Sequence, residues 1–198
     1  QGNNLESDSK INISFGNAFI NYINKANISL SYSDMELNNA GKINVESKNS
    51  RLRILKSENI ILNSTKDKII IDTSQNISGK SYFTYFNILN VKETFIIKSS
   101  YGEINIESIN NNFNNIDINS TYTVIRISHS AETFFDLDIY AINSSANLDA
   151  AYNNMIKTNI GSNINEFSIK GSTTNKSDIY KALIKCNLTG GNLNLNIK

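Results

Sequence analysis

A short motif recurs along the chain: a glycine, one polar residue, and then an aliphatic–Asn–aliphatic triplet. Copies lie at residues 41–45, 102–106 and 191–195, and residues 9–13 repeat the pattern without the glycine. The glycine suits a turn, and the triplet alternates apolar and polar side chains as a strand with one buried face does. Short strands of one kind, repeated end to end, build an extended β-solenoid or a large sandwich. The motif therefore constrains the architecture, but it identifies no ligand and no reaction.

Apolar pairs separated by one residue continue this pattern through most of the chain. Examples are Ile11/Ile13, Ile28/Leu30, Ile43/Val45, Leu52/Ile54, Ile69/Ile71, Ile104/Ile106, Ile116/Ile118 and Leu137/Ile139. Over the first 70 residues successive pairs lie about seven to nine residues apart. Alternation of this kind is typical of strands, and a helical period of 3.6 residues does not persist anywhere. We therefore expect an all-β fold.

Two all-β architectures fit these strands: a β-solenoid of the right-handed β-helix type, and an antiparallel β-sandwich. A sandwich needs hairpins, yet the Asn-Gly and Asp-Gly dipeptides that favour tight hairpins are absent. Similar corner sequences recur instead, at residues 31–34, 99–102 and 120–123. Asn at many outward strand positions can also form hydrogen-bonded ladders along a stack. The pattern favours the solenoid, with the antiparallel sandwich as the alternative.

The chain shows no linker or change in composition that would divide it. We predict a single solenoid domain over residues 1–198, with a less regular stretch at about 143–180. Alternating Leu193, Leu195 and Ile197 then predict a C-terminal strand that caps the stack.

Charge and hydropathy argue against several classes of partner. The formal net charge is +1, with acids and bases interspersed, so a clustered basic surface for nucleic acid is not expected. No run reaches the roughly 18 apolar residues of a membrane-spanning helix. Arg51 and Arg53 alternate within the most basic stretch, residues 48–56. They predict a solvated strand face, with a patch for an anionic ligand as the alternative.

Residues for catalysis or metal binding are few. The single cysteine, Cys186, lies in an apparent strand and predicts a buried, inert thiol. The single histidine, His129, follows a strand and predicts an exposed turn residue. One histidine and one cysteine do not supply the three or four ligands of an ordinary zinc site. We therefore predict no catalytic residue, no metal site and no cofactor.

Paired carboxylates leave one enzymatic alternative open. Asp136 and Asp138 share one face of a predicted strand, and in a solenoid Asp117 could stack above or below them. Two close carboxylates can share a proton or perform acid–base work on a polysaccharide. The other interpretation is the wet face of an outer strand.

The aromatic run at residues 82–86 is the best candidate for a binding surface. Read as a strand, it sends Tyr82 and Phe86 to one face and Phe83 and Tyr85 to the other. A simple coil buries only one face, so the second could stack sugar rings or dock a neighbouring molecule. Burial of that second face under a loop is the alternative. The predicted corner tyrosines, Tyr32, Tyr101 and Tyr122, are interpreted as structural, with rings over the core edge and hydroxyls in water.

A family resemblance rests on residues 98–148. The sequence Ser-Ser-Tyr-Gly-Glu-Ile-Asn-Ile at 99–106, the segment from Phe113 to Thr123 and the segment from Phe135 to Ala141 carry it. They resemble bacterial putative-adhesin families similar to the auto-transporter adhesin head domain. The resemblance implies an exported, β-helical, non-enzymatic domain of Gram-negative envelopes, without catalytic residues. The chain also begins without methionine or a hydrophobic leader, which is typical of a processed export product.

The predicted function follows from these features. We expect an exported adhesin-like or envelope structural module, in the periplasm or at the cell surface, that presents a polar solenoid surface to a glycan or cell-surface protein. The first alternative is a β-helical polysaccharide lyase or hydrolase that uses Asp136 and Asp138. The second is an assembly subunit that joins end to end through strand edges. The sequence leaves the oligomeric state open.

Overall fold

The computed structural model of the protein describes residues 2–152, 155–160, 165–173 and 182–198. It is an all-β solenoid of about seven turns, as the sequence predicted. The strands are β1 (Gly2–Ser14), β2 (Asn17–Ser31), β3 (Asp34–Lys48), β4 (Arg51–Thr65), β5 (Lys68–Tyr82), β6 (Tyr85–Ser100), β7 (Glu103–Ile106), β8 (Asn115–Thr121), β9 (Val124–His129), β10 (Asp136–Ile142), β11 (Ser145–Leu148), β12 (Ile156–Asn159), β13 (Glu166–Ser172), β14 (Leu183–Thr189) and β15 (Asn192–Ile197).

Helical structure is limited to one short turn among the residues described above. It is a 3-10 turn at Ala150–Tyr152. Within the described part of the chain, no helix has the length and apolar character needed to cross a membrane.

Each of the long strands forms most of one coil. Strand β3 pairs in parallel with β2 and with β4, so that Val45 lies beside Ile28 on one side and Leu62 on the other. These partners are 17 residues apart, and a 15-residue strand plus a two-residue corner accounts for that length. The parallel pairing of β1 to β6 belongs to a solenoid, not to an antiparallel sandwich.

The strands bend, so each coil buries side chains from two sides. The two halves of β6 show this division, because the first half pairs with β7 and the second with β8. In β4, Leu52 and Ile54 line the core from one side, and Ile60 and Leu62 line it from the other. Two apolar pairs per coil explain the spacing of seven to nine residues seen in the sequence.

Asn side chains form ladders on the outer surface. Asn38 Nδ2 donates to Asn21 Oδ1 at 3.2 Å, and Asn21 Nδ2 donates to Asn4 Oδ1 at 3.1 Å. Asn44 Nδ2 likewise donates to Asn27 Oδ1 at 2.9 Å. The stacked side-chain amides form hydrogen bonds with one another between coils, which confirms the expected ladders.

The last coil lies out of sequence order. Strand β14 pairs in parallel with both β8 and β10, and β15 pairs in parallel with both β9 and β11. Residues 182–198 therefore enter the stack between two coils that precede them in the chain. The C-terminal strand β15 has a neighbour on each side, so the prediction that it caps the stack was wrong.

Antiparallel strands lie beyond the inserted coil. Strand β13 pairs with β10 and with β12 in antiparallel fashion, and this pairing covers the edge of β10 that faces away from β14. Within the irregular stretch predicted at 143–180, residues 153–154, 161–164 and 174–180 lie outside the described part of the chain. The division of the chain into domains stays a prediction.

Candidate functional site at an aromatic corner

One corner of successive coils holds a residue in the left-handed region of backbone conformation. Among the residues that the structure describes, the non-glycine residues with positive φ, between 48° and 58°, are Phe15, Tyr32, Asn49, Lys66, Phe83, Tyr101, Tyr122 and Asn143. This conformation is costly for an aromatic residue. Hydrogen bonds to the next coil hold it in place: Phe83 N donates to Ser100 O and Tyr101 N donates to Thr121 O, each at 2.9 Å. The corner is thus continuous with the ladders of the sheet.

Four aromatic side chains cluster at this corner, and we call Tyr82, Phe83, Tyr101 and Tyr122 the aromatic corner. The centroids of Phe83 and Tyr101 are 5.0 Å apart, and those of Tyr101 and Tyr122 are 5.3 Å apart, each pair at an interplanar angle of 17°. The ring of Tyr82 meets Phe83 and Tyr101 edge-on. The stacked faces are turned toward one another, and all four side chains of the aromatic corner are exposed.

The predicted aromatic run crosses this corner and is not a single strand. Tyr82 ends β5 and Phe83 occupies the left-handed position, so both side chains are exposed instead of alternating. Tyr85 begins β6 and is half-buried, with Lys68 Nζ 5.7 Å from its ring centroid. Phe86 is completely buried, and the prediction that it belongs to an exposed binding surface was wrong.

The corner tyrosines prove to be part of the same surface. Tyr101 and Tyr122, interpreted from the sequence as structural, continue the stack that Phe83 begins. Tyr32 stacks separately on Phe15, with centroids 5.2 Å apart. These corner residues share one sequence signal: each lies two residues before the start of a strand. That signal could have grouped Tyr32, Phe83, Tyr101 and Tyr122 from the sequence alone.

A buried carboxylate, that of Asp67, accepts hydrogen bonds on the inner side of the corner. Asp67 is 5% exposed and accepts hydrogen bonds from Ser47 Oγ at 2.5 Å, Ser64 Oγ at 2.6 Å, Ser50 N at 2.7 Å and Thr65 N at 3.0 Å. Two donors from the preceding coil, Ser47 and Ser50, and two from the end of β4, Ser64 and Thr65, compensate for the burial of this carboxylate. Sequence reasoning missed Asp67, because nothing local marks it as an inward-facing corner residue.

Buried hydroxyls extend this polar line behind the aromatic corner. Ser64 Oγ lies 2.9 Å from Thr84 Oγ1, and Ser81 Oγ donates to Ser99 Oγ at 3.0 Å. Each hydroxyl links one coil to another, so the backbone beneath the aromatic corner is cross-linked by side chains as well as by the sheet. The aromatic corner therefore stands on a rigid base.

His129 is buried, and the prediction of an exposed turn histidine was wrong. Its Nε2 atom contacts the hydroxyl of Tyr152, and its Nδ1 atom lies 2.7 Å from Ser130 O. Burial lowers the pKa of His129, opposed by the Ser130 carbonyl and by Asp149. Burial also raises the pKa of Tyr152. The tertiary contact with Tyr152, 23 residues away in the chain, is what covers the imidazole.

Cys186 is buried, as predicted. It is completely buried in β14, and burial raises the pKa of the thiol to about 12, with a smaller contribution from Asp117. The reactive thiolate is thus disfavoured at neutral pH. Over the part of the chain that the structure describes, no group of three or more His, Cys, Asp or Glu side chains could hold a metal ion.

The carboxylates of the enzymatic alternative lie on the outer face of β10. Asp136 and Asp138 are half-buried, and Asp138 Oδ1 is 3.3 Å from Lys170 Nζ. Asp117 shares a row with Asp138 across the sheet, but Lys185 occupies the strand between them. These contacts are those of a charge-balanced outer face. Catalysis by Asp136 and Asp138 stays a prediction.

The two arginines of the basic stretch differ in their surroundings. Both point outward from β4, as predicted. Arg53 Nη2 lies 3.5 Å from Asp72 Oδ2, whereas Arg51 is exposed and neighbours Asp34 and Lys68 in the register of the sheet. The arrangement is that of a solvated face with mixed charge.

Comparisons of the chain with protein-family models, with curated proteins and with solved structures find no match. The class that the structure defines is therefore architectural: a β-solenoid repeat protein. Its most distinctive surface feature is the aromatic corner.

Proposed function

We propose that this protein is a non-catalytic binding module of the adhesin-like kind, and that the aromatic corner contacts its ligand. One observation carries the proposal: Tyr82, Phe83, Tyr101 and Tyr122 lie together while remaining between 42% and 57% exposed. Contiguous exposed apolar groups on a soluble fold mark interaction sites more often than single ones do.

The rigidity of the corner supports binding. Inter-coil hydrogen bonds and the polar line around Asp67 support the left-handed backbone that carries the rings, and the rings stack on one another. Tyrosine offers a large contact area with few rotatable bonds, so little conformational entropy remains to be lost. A preorganised aromatic surface of this kind needs no further ordering on association.

The border of the aromatic corner favours a glycan as the ligand. Thr65, Ser100 and Thr121 are the register neighbours of Tyr82 and its row. Sugars combine apolar C–H groups with hydroxyls, and rings bordered by hydroxyl side chains match both. A cell-surface protein is the second ligand class that the same surface could accept.

The location of the protein forms part of the proposal. We propose that it is exported to the periplasm or surface of a Gram-negative bacterium, and that it belongs with the putative-adhesin families. The resemblance of residues 98–148 supports this, and so does the β-helical architecture that those families imply. Fractionation of cells that produce the protein tests it, since recovery in the cytoplasm alone would contradict export.

A binding array tests the function. The purified protein is applied to immobilised glycans and extracellular-matrix proteins beside a Tyr82→Ala/Tyr101→Ala variant. A matched control, Phe19→Ala/Phe134→Ala, removes two exposed rings that lie outside the aromatic corner. We expect selective binding by the wild type and the control, and its loss in the first variant. A blank array, or equal loss in both variants, contradicts the proposal and favours an assembly role.

A further inference from the structure

Three lysines border the aromatic corner without an acidic partner. Lys66 precedes Phe83 in the left-handed column, and Lys80 and Lys98 lie beside Tyr82 on the adjoining face. All three are exposed. The ion pairs found among the described residues involve none of them.

Lys80 and Lys98 face each other directly across two neighbouring strands. They are register partners in β5 and β6, and parallel strands lie about 4.8 Å apart. Like charges opposite each other in a sheet are destabilising. The same row continues into Asn63 on one side and Asn119 on the other, so it contains no carboxylate at these four positions. An external anion would relieve this repulsion.

The aromatic rings add to the preference for an anion. The edge of an aromatic ring carries partial positive charge, whereas its face carries partial negative charge. In the stack of Phe83, Tyr101 and Tyr122 the meeting faces cover one another while all three residues stay exposed, so the accessible part of each ring includes its edge. Tyrosine hydroxyls at the same edge can donate hydrogen bonds. Lysines, ring edges and hydroxyls thus favour the same sign of ligand charge.

Nearby carboxylates are engaged elsewhere or lie farther away. Among the described residues, four acidic ones lie near the patch in the chain or in the register of the sheet: Glu46, Asp67, Glu103 and Asp117. Asp67 is buried and accepts four hydrogen bonds, and Glu103 forms an ion pair with Arg126. Asp117 accepts a hydrogen bond from Asn119 at 3.2 Å, and Glu46 lies one strand beyond Asn63. None of these four carboxylates forms an ion pair with Lys66, Lys80 or Lys98.

We propose that the aromatic corner and its three lysines bind an acidic polysaccharide. Carboxylate or sulfate groups of the polysaccharide contact Lys66, Lys80 and Lys98. The sugar rings of the polysaccharide lie along Tyr82, Phe83 and Tyr101. The patch extends along the solenoid axis over several coils, a shape that suits an extended polymer. This inference rests on the proposed binding function and specifies the chemistry of its ligand.

Binding measurements with defined polymers test the inference. The full chain is titrated with polygalacturonate as the carboxylated probe, heparin as the sulfated probe and dextran as the neutral probe. A Lys80→Gln/Lys98→Gln variant removes two charges and keeps side-chain length. Lys42→Gln/Lys56→Gln removes the same charge from exposed lysines outside the patch. Single-stranded DNA serves as a control polyanion, because its charges are on phosphates and not on the carboxylate or sulfate groups of a polysaccharide.

We expect at least one acidic polysaccharide to bind more tightly than dextran, with affinity that falls as salt is added. The Lys80→Gln/Lys98→Gln variant should bind it about five- to tenfold more weakly, and the control variant should match the wild type. The comparison of polygalacturonate with heparin separates carboxylate from sulfate recognition.

Three results would overturn the inference. Equal affinity for dextran, equal loss in both lysine variants, or equally tight binding of DNA would each exclude specific recognition of an acidic glycan. If neutral glycans or a protein bind through Tyr82 and Tyr101 alone, the proposed function stands and this inference fails. If no glycan and no protein binds, both fail.

Discussion

The ring of Tyr122 lies directly against Gly190. A Cβ atom at Gly190 would be 2.5 Å from Tyr122 Cε1, and Gly190 itself has a φ of 66°. Gly190 belongs to the corner between β14 and β15, so the last ring of the aromatic corner packs on the inserted C-terminal coil. The aromatic corner is thus in direct packing contact with the inserted coil through Tyr122 and Gly190.

Substitution of Gly190 should be costly for this reason. Gly190→Ala places a side chain in a left-handed residue and pushes it into the Tyr122 ring. We expect a loss of about 1–3 kcal/mol in the free energy of unfolding. Gly16→Ala is the matched control, because its added Cβ would have its nearest neighbour at an ordinary 3.6 Å. Urea denaturation of both variants measures the difference, and equal stability would contradict the contact.

Removal of the Asp67 carboxylate should destabilise the corner. Asp67→Ala leaves the buried donor Ser50 N and the partly buried donor Thr65 N without their acceptor, and we expect a loss of about 3 kcal/mol or more. Asp34→Ala removes an exposed carboxylate near the same corner and should change stability by less than about 0.5 kcal/mol. Thermal and urea unfolding of the two variants provide the comparison. Similar losses would show that the four hydrogen bonds do not act as described.

Stability should decrease as the solution is acidified through the histidine range. Burial lowers the pKa of His129 below its ordinary value of 6.5, so the unfolded chain takes up a proton more readily than the folded one. The stabilising contribution is therefore complete above about pH 6.5 and is lost as the pH falls toward the lowered pKa. Urea unfolding at about pH 7.5 and about pH 5 should show this loss. The His129→Gln variant should lose less stability between the two pH values than the wild type does. If the variant and the wild type have the same pH dependence, the burial of the imidazole is contradicted.

A charge placed in the stacked core should unfold the protein. Ile106 is completely buried, and Ile106→Asp should cost more than about 4 kcal/mol because the carboxylate would have no partner there. Ile96→Asp introduces the same carboxylate at an isoleucine that is 44% exposed and should have a small effect. Circular dichroism during heating distinguishes the two. Wild-type melting of Ile106→Asp would contradict the solenoid core.

The architecture could be predicted because burial in a strand repeats every second residue. Pairs such as Leu52/Ile54 and Ile60/Leu62 carried that signal, and both pairs are buried as expected. The 17-residue length of a coil was not recognised, since each coil contains two pairs that look alike. The inserted coil had no signal at all, because pairing between non-consecutive strands leaves no local pattern.

The site was harder to predict because it depends on one unusual backbone angle. Phe83 has a φ of 51°, a conformation that sequence reasoning assigns to glycine or asparagine. Treating residues 82–86 as a strand therefore placed Phe86 on the wrong surface. Asn49 and Asn143 occupy the same corner position in other coils, and they were the residues that could have indicated it. His129 was misplaced because its cover, Tyr152, comes from a distant segment.

Insertion of β14 and β15 between earlier coils has a consequence for how the polypeptide reaches its final form during translation. Residues 182–198 leave the ribosome after both coils that flank them. Until then, β8 and β10 lack the strand that separates them, and each offers an open edge to a chaperone or to a neighbouring nascent chain. A solenoid can ordinarily grow coil by coil as it is synthesised. This protein cannot add its coils strictly in the order of synthesis, because β8 and β10 reach their final pairing only after β14 has been synthesised.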